Sequence, residues 1–379
     1  MWPFFTITSL LITAYLVLLL YYRQCWLNAP AFIRSQNFIP SVKISIIIPA
    51  RNEAQNINAC LSSIANQSYP VSLFEVIVVD DHSTDETAAL VSIFPAQNIR
   101  LLLLKDLLAD GQLNSYKKKA IEMAITSSTG ELIITTDADC TVPPNWLLYI
   151  AAFYENQQPS FIVMPVSYQA GHNFFQIFQA LDFMALQGIT GAAVHKNFHS
   201  MCNGANLAYT KKAFMDAGGF TGIDDIASGD DMLLMHKIYL KHPKGIRFLK
   251  SGELIVQTKP MSSVKDFFNQ RIRWASKAGK YGDKRITLVL LLVYFLNCWC
   301  LALGIASFFN IAIFYLFLVL LAGKTIMELF FLFPVAAFFR NQHLLWWFPL
   351  AQPFHIIYTV IAGWLGKFGS YQWKGRKVK

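Results

Sequence analysis

Glu131-Leu132-Ile133-Ile134-Thr135-Thr136-Asp137-Ala138-Asp139 is the stretch that decides the fold. Apolar and β-branched residues fill it from Leu132 to Thr136, as in a strand buried on both faces. The run then drives into two carboxylates one residue apart. In open α/β sheets, ligands bind at the carboxyl edge of the strands. An Asp-x-Asp at that edge has two readings. It is a polar turn, or it holds a hard divalent cation that also binds substrate phosphates. Taken alone, the pair fits either.

The neighbouring segments repeat the pattern. Ile44 to Ile48 is a strand halted by Pro49, and it runs into Ala50-Arg51-Asn52-Glu53. Glu75 to Val79 is a strand ending in Asp80-Asp81, and Arg100 to Leu104 is a third. Helical periodicity separates them. Ala54 to Asn66 puts Ile57, Cys60, Leu61 and Ile64 on one face, and Ser115 to Thr126 opens with Lys117-Lys118-Lys119. Ser83-Thr84-Asp85-Glu86 has the form of a capping box, Ser83 capping and Glu86 reaching back. Short apolar runs alternating with helices predict an α/β sheet. Acidic strand ends gathered on one edge suit a nucleotide: carboxylates read base and ribose hydroxyls, and a lysine such as Lys117 meets a phosphate. Each lysine also fits an ordinary solvated helix face.

The ends of the chain are different. The 379 residues are 54% hydrophobic and 15% charged, with a mean hydropathy of +0.38, too apolar for a soluble protein of this size. Pro3 to Tyr22 carries no charge and is long enough to cross a bilayer. No basic residue precedes it and no small-x-small cleavage site follows, which argues against a signal peptide. Arg23 directly after it favours a cytoplasmic continuation. Four blocks follow: an anchor over 1–23, a globular domain over 43–284, a membrane region of two to four segments over 286–366, and a basic cytoplasmic tail over 367–379. Within the membrane region Lys324 and Glu328 interrupt the apolar pattern; four apart, they read as a buried ion pair or, more simply, as part of an interfacial helix. If domain and tail share one side, the C-terminal spans are even in number, and the simplest solution makes Lys324 to Phe339 interfacial or re-entrant.

The net charge of +9 does not suggest nucleic acid. A nucleic-acid binder would interleave basic clusters with aromatics on a soluble domain. Here the tail lies next to the apolar block, and anionic lipid is the economical partner. The six cysteines form no CxxC pair, so neither a disulfide framework nor a zinc site is expected. His195 and His199 are four apart without the glutamate of a zinc-protease helix, and read as surface or acceptor-side residues. His172, His236 and His242 show no partner pattern. Asp182 reads either as acceptor-facing or as part of an ordinary amphipathic helix.

A set of motifs in order carries a family resemblance: Ile48-Pro49-Ala50-Arg51-Asn52-Glu53, Val79-Asp80-Asp81-His82-Ser83-Thr84-Asp85, Lys117 ahead of Ala120, Asp137-Ala138-Asp139, Asn203-Gly204-Ala205-Asn206, Gly218-Gly219-Phe220, Gly229-Asp230-Asp231 and Gln270-Arg271-Ile272-Arg273-Trp274. Over Ser45 to Trp274 the chain resembles the membrane-bound family 2 glycosyltransferases, inverting enzymes with a GT-A fold, a Rossmann-like mixed sheet, here flanked by transmembrane helices at both ends. The resemblance implies that Ala50, Glu53, Asp81, Lys117 and Asp137 bind a nucleotide-sugar donor, a UDP-sugar first. It implies Mg²⁺ or Mn²⁺ on Asp139. Asp231 becomes the base that deprotonates the acceptor hydroxyl. Asp230 and the QxxRW pentad residues Gln270, Arg273 and Trp274 become acceptor and diphosphate contacts. Asp230 and Asp231 also suit the cap of a helix over Met232 to Leu240, with Asp230 capping. The pentad falls in an amphipathic helix over about 261–277, which alone would read as an interfacial anchor. The implied protein is a hexosyltransferase of the bacterial inner membrane with a cytoplasmic catalytic domain and a glycan or lipid acceptor. The rival is a membrane-anchored scaffold or nucleotide-sugar binder that keeps the fold without catalysis.

Overall fold

The computed structural model describes residues 2–107, 115–169, 171, 173–226, 228–369, 371–373 and 376–378. His172 and parts of the basic tail fall outside the described residues. In chain order the elements are α1 (Trp2–Asn28), β1 (Ile44–Ala50), α2 (Ile57–Ala65), β2 (Phe74–Asp80), α3 (Thr87–Ser92), β3 (Ile99–Leu103), α4 (Leu104–Leu107), α5 (Tyr116–Ser127) and β4 (Leu132–Thr135). Then come α6 (Trp146–Gln157), β5 (Phe161–Val163), β6 (Val166–Tyr168), α7 (Phe174–His195), β7 (Leu207–Thr210), α8 (Lys211–Asp216), α9 (Met232–Lys241), β8 (Ile246–Phe248) and β9 (Val256–Thr258). The remainder is α10 (Val264–Ala275), α11 (Lys284–Ala306), α12 (Ile311–Phe338), α13 (Phe348–Phe368), β10 (Tyr371–Trp373) and β11 (Arg376–Val378).

The chain divides into two compact units. One comprises residues 29–167 and 200–259 and holds a seven-stranded sheet in the order β3-β2-β1-β4-β7-β5-β8. Strands β3, β2, β1 and β4 run parallel, and β7 pairs antiparallel with β4 and with β5. This is the mixed α/β sheet the strand pattern predicts. Ile46, Ile47 and Ile48 are fully buried, as expected for a parallel strand covered on both faces. In register, Ala50 lies opposite Asp80, and Ile47 opposite both Ile77 and Thr135. The parallel strands therefore deliver their acidic ends to one edge. Asn206, fully buried, locks the far half of the sheet. Its amide donates to the carbonyls of Pro165 and Leu254, and its oxygen accepts from the Trp146 indole.

The other unit comprises residues 1–28, 168–199 and 260–379. Five helical stretches among the described residues are long and apolar enough to cross a membrane: α1, α7, α11, α12, and Gln342–Phe368, which contains α13. They are not alike. In α7 83% of the apolar window is buried, against 17% in α1 and 22% in α11. The apolar residues of α7 therefore serve the protein's own core.

Here the structure corrects the sequence. Lys324 and Glu328 do not break the last third into short pieces, because α12 runs unbroken through both. Lys324 is fully buried and donates to Glu328 Oε1 at 2.7 Å and to Gln352 Oε1 at 2.9 Å. Gln352 donates back to Glu328, and Tyr15 of α1 donates to the same carboxylate. A closed polar network removes the cost of leaving either charge unpaired. The partners lie 28 and 313 residues away in sequence, beyond the reach of any local pattern. His199 is likewise no surface residue. It is buried, with Nε2 2.7 Å from the Tyr22 hydroxyl.

Candidate active site

Backbone geometry shapes the acidic edge first. Asn52 and His82, just past the ends of β1 and β2, both have positive φ, 52° and 54°. Two non-glycine residues in the left-handed region mark loops held by their surroundings. Side chains tie these loops together. Asn52 N–H donates to Ser83 Oγ, and Asn52 Oδ1 accepts from Thr84 N–H. Glu53 N–H donates to Thr87 Oγ1, and Ala54 N–H to Asp85 Oδ2. Ser83 is therefore not the predicted helix cap. Its hydroxyl serves the neighbouring loop, and Asp85 accepts from Thr87 N–H at the start of α3. A capping box and a loop tie use the same residue types, and only the fold separates them.

In this cradle Ala50 is buried, and Glu53 is buried with Oε2 accepting from the Asn56 amide at 2.8 Å. Asp81 is buried. His82 Nδ1 lies 3.0 Å from its carboxylate, and the Arg51 guanidinium lies 3.7 Å away.

The second cluster forms around Lys117, on the first turn of α5. Its ammonium lies 2.8 Å from Asp137 and 3.1 Å from Asp230. Burial alone would lower this lysine. The two carboxylates outweigh burial and hold it above its ordinary value, so it stays charged. One cation thus joins the strand-end Asp-x-Asp to the Asp-Asp ahead of α9. Gly204 borders the same place. A Cβ there would come to 3.5 Å from Asp230 and 3.7 Å from Lys117 Nζ. The three lysines separate into three roles. Lys119 pairs with Glu122. Lys118 is buried and donates to the carbonyls of Ile223, Ile226 and Ser228, in the loop that leads to Asp230. Helical spacing gave no sign of that role, since the acceptors are backbone atoms more than a hundred residues away.

Asp231, not Asp230, caps α9, accepting from Met232 N–H at 2.7 Å. Asp137 and Asp139 are both half-exposed on either side of buried Ala138. No group of three or more metal-type side chains occurs among the described residues. None is needed for a cation held by one or two carboxylates and the phosphates of its substrate. Hard oxygen donors open to solvent at Asp137 and Asp139 suit Mg²⁺ or Mn²⁺.

The pentad lies in the helical unit, on α10, whose cap is Ser263. Its helix is shorter than the predicted 261–277. Asp182 of α7, open to two readings in sequence, is buried and accepts from Arg271 at 2.7 Å and 3.1 Å and from the Tyr358 hydroxyl. Arg271 was not among the predicted site residues.

Comparison with known proteins identifies the family. Glycosyl transferase family 2 matches residues 45–218, and Glycosyl transferase family group 2 matches residues 132–365, more than half of the chain. The chain belongs to Glycosyl transferase family group 2. The probable glycosyltransferase YdaM of Bacillus subtilis is 26% identical over 273 residues, 71% of this chain and 61% of its own. A dolichyl-phosphate beta-glucosyltransferase of Dictyostelium discoideum is 30% identical over 162 residues, 36% of this chain and 47% of its own. Matches to curated relatives span about a third to three fifths of the relatives' length. Among solved structures, the mannosyltransferase PcManGT of Pyrobaculum calidifontis, in complex with GDP-Man and Mn2+, superposes with a TM-score of 0.54 at 20% identity. It covers 93% of this chain and 98% of that one. That likeness establishes the GT-A-like fold of this family member.

Proposed function

We propose that this chain is an inverting, metal-dependent glycosyltransferase that moves a sugar from a nucleotide-sugar donor, a UDP-sugar first, to a glycan or lipid acceptor at a membrane. The observation that carries the reading is the Lys117 bridge between Asp137 and Asp230. It joins two motifs that the family uses at opposite ends of the reaction. Glu53, Asp81 and Ala50 form the nucleoside side, and Lys117 and Asp137 the phosphate side. Asp139, with Asp137 beside it, would hold Mg²⁺ or Mn²⁺, which supplies charge neutralisation to the departing diphosphate. Asp231 takes the proton of the acceptor hydroxyl, and that oxygen attacks the anomeric carbon. The bond to the nucleoside diphosphate breaks on the opposite face, and the configuration inverts. Gln270, Arg273 and Trp274 serve the diphosphate and the acceptor.

For the membrane region this reading works from the packing of the helices on one another. Helices α11 and α12 form a hairpin, with Gly304 against Phe317 and residues 307–310 between them. Gly363 lies against Tyr294 in the middle of α11, Gly366 against Ala275 of α10, and Lys367 beside Gly279. The tail therefore returns to the side of α10. An even number of C-terminal crossings would keep the catalytic unit and the tail on one side. A cytoplasmic catalytic unit in a bacterial inner membrane is the matching localisation. The dolichyl-phosphate acceptor named for the Dictyostelium relative makes a membrane lipid the first acceptor to try.

The test is nucleotide release from UDP-, GDP- and dTDP-sugars with a lipid extract, with and without Mn²⁺, by wild type and Asp231→Asn. The asparagine keeps the cap on α9 and loses the base. We expect turnover to fall about 10²–10⁴-fold with donor binding retained. Wild type inert towards every donor would favour the non-catalytic scaffold. A fully active Asp231→Asn would move the base elsewhere.

A further inference from the structure

We infer that Arg271 and Asp182 are positioning residues for the pentad, and that the Arg271 guanidinium sets the side chains of Gln270 and Trp274. The inference rests on the transferase reading for its kinetic part, but its structural part stands by itself. Every group involved belongs to the helical unit.

The Arg271 side chain is 4% exposed, and its guanidinium has both polar and aromatic partners. Nε and Nη2 donate to Asp182 Oδ2 at 3.1 Å and 2.7 Å. Nη1 donates to Gln270 Oε1 at 2.6 Å. The planar cation lies 4.3 Å from the centre of the Trp274 ring and 4.6 Å from that of Phe267. A desolvated cation against aromatic faces is a strong contact of defined geometry. Burial alone would lower this arginine, and the Asp182 carboxylate outweighs it and holds the group charged.

Two consequences follow for the pentad. Gln270 Oε1 is held by Nη1 and also accepts from the Tyr168 hydroxyl at 3.3 Å, which fixes which end of its amide carries the donors. Trp274 is held on one face by the guanidinium, and Phe183 of α7 lies 6.3 Å from its ring centre. Asp182 orients Arg271 in turn. Its other oxygen accepts from the Tyr358 hydroxyl, and His355 Nε2 lies 3.9 Å away. Lysine cannot substitute. A single ammonium cannot serve Asp182 and Gln270 as a planar fork while stacking on two rings.

The experiment uses the full chain in detergent and three variants: Arg271→Lys, Asp182→Asn and their combination. Each is labelled with 5-fluorotryptophan, and the Trp274 resonance is assigned with Trp274→Phe. We expect Arg271→Lys and Asp182→Asn each to shift or broaden that resonance. Each should lower transfer kcat per folded molecule by about 10–10²-fold while donor KM stays near wild type; Asp182→Asn, which leaves the Arg271 charge buried without its counter-ion, should also lower the unfolding temperature. The combined variant should be no worse than the poorer single one, because both break one unit. An unmoved Trp274 resonance in the folded variants overturns the positioning role whether or not the protein is a transferase. Unchanged kcat overturns its link to transfer. So does a loss that only follows the folded fraction. A wild type without turnover counts against the transferase reading alone, and the fluorine signal still decides the positioning.

Discussion

Lys117 and Lys324 are both clamped by carboxylates, in opposite surroundings. Lys117 sits at the open edge of the sheet, its side chain 20% exposed, between Asp137 and Asp230. Lys324 is fully buried among apolar helices, closed in by Glu328 and Gln352. At the edge, each ionic partner is half-exposed or lies beside the small Gly204, so an incoming phosphate can take over a share of the cation. In the bundle, the Glu328 oxygens are already taken by Lys324, Gln352 and Tyr15. The first arrangement is built to exchange partners. The second ties α1, α12 and α13 to one another.

The largest effect that would break this contrast is on stability. Lys324→Met leaves the Glu328 charge buried without its counter-ion, which costs about 3–5 kcal/mol. Adding Glu328→Gln removes that orphan charge and should restore part of the loss. The measurement is detergent unfolding of both variants, with turnover per folded molecule unchanged. If Lys324→Met keeps wild-type stability and loses turnover, the network belongs to the chemistry and the contrast fails.

The mirror experiment is Lys117→Met. Removing one charge-assisted bond to a phosphate weakens donor binding by about 1.5–3 kcal/mol, roughly 10–10²-fold, with little change in unfolding. Titrating the donor against both proteins reads it directly. A large stability loss with donor affinity intact would make Lys117 a strut like Lys324.

The two lysines also show what the sequence could carry. The sheet was legible because its strands are continuous β-branched runs, and burial of Ile46 to Ile48 on both faces demands that composition. The acidic edge was legible because Asp81, Asp137 and Asp231 each follow or precede a regular element. For Lys324 the i, i+4 spacing to Glu328 offered a buried ion pair, but an interfacial helix was the simpler reading, because the partners that close the network, Gln352 and Tyr15, are remote. Ser83 was misread because a hydroxyl at a turn can cap a helix or tie a loop. Lys118 and Arg271 were passed over for a common reason. Their partners, backbone carbonyls and a carboxylate on another helix, leave no periodic trace. What escaped is consistently the long-range polar contact, and what was seen is apolar periodicity and local order.

A third lysine sharpens the comparison with the smallest effect. Lys250 hydrogen-bonds the Ala29 carbonyl at 3.2 Å, and its own carbonyl accepts from Phe32 N–H. Burial pushes its pKa down to about 8, the opposite direction from Lys117, where carboxylates prevail. In the unfolded chain the same ammonium titrates at about 10.4. Between those values the unfolded state holds a proton that the folded state has released. Stability therefore rises as pH climbs from about 8 towards 10.4 and levels off above it. Below about 8 both states are protonated, and the cost of burying the charge is fully present. Lysines and tyrosines elsewhere titrate over the same range, so the readout is a difference. Unfolding temperatures of wild type and Lys250→Met, compared from neutral pH upwards, should draw together or cross in favour of wild type as pH rises. A difference that stays flat would mean that Lys250 keeps its proton in the fold. A carboxylate or water would then be serving it as Asp137 and Asp230 serve Lys117, and burial alone would not separate the two.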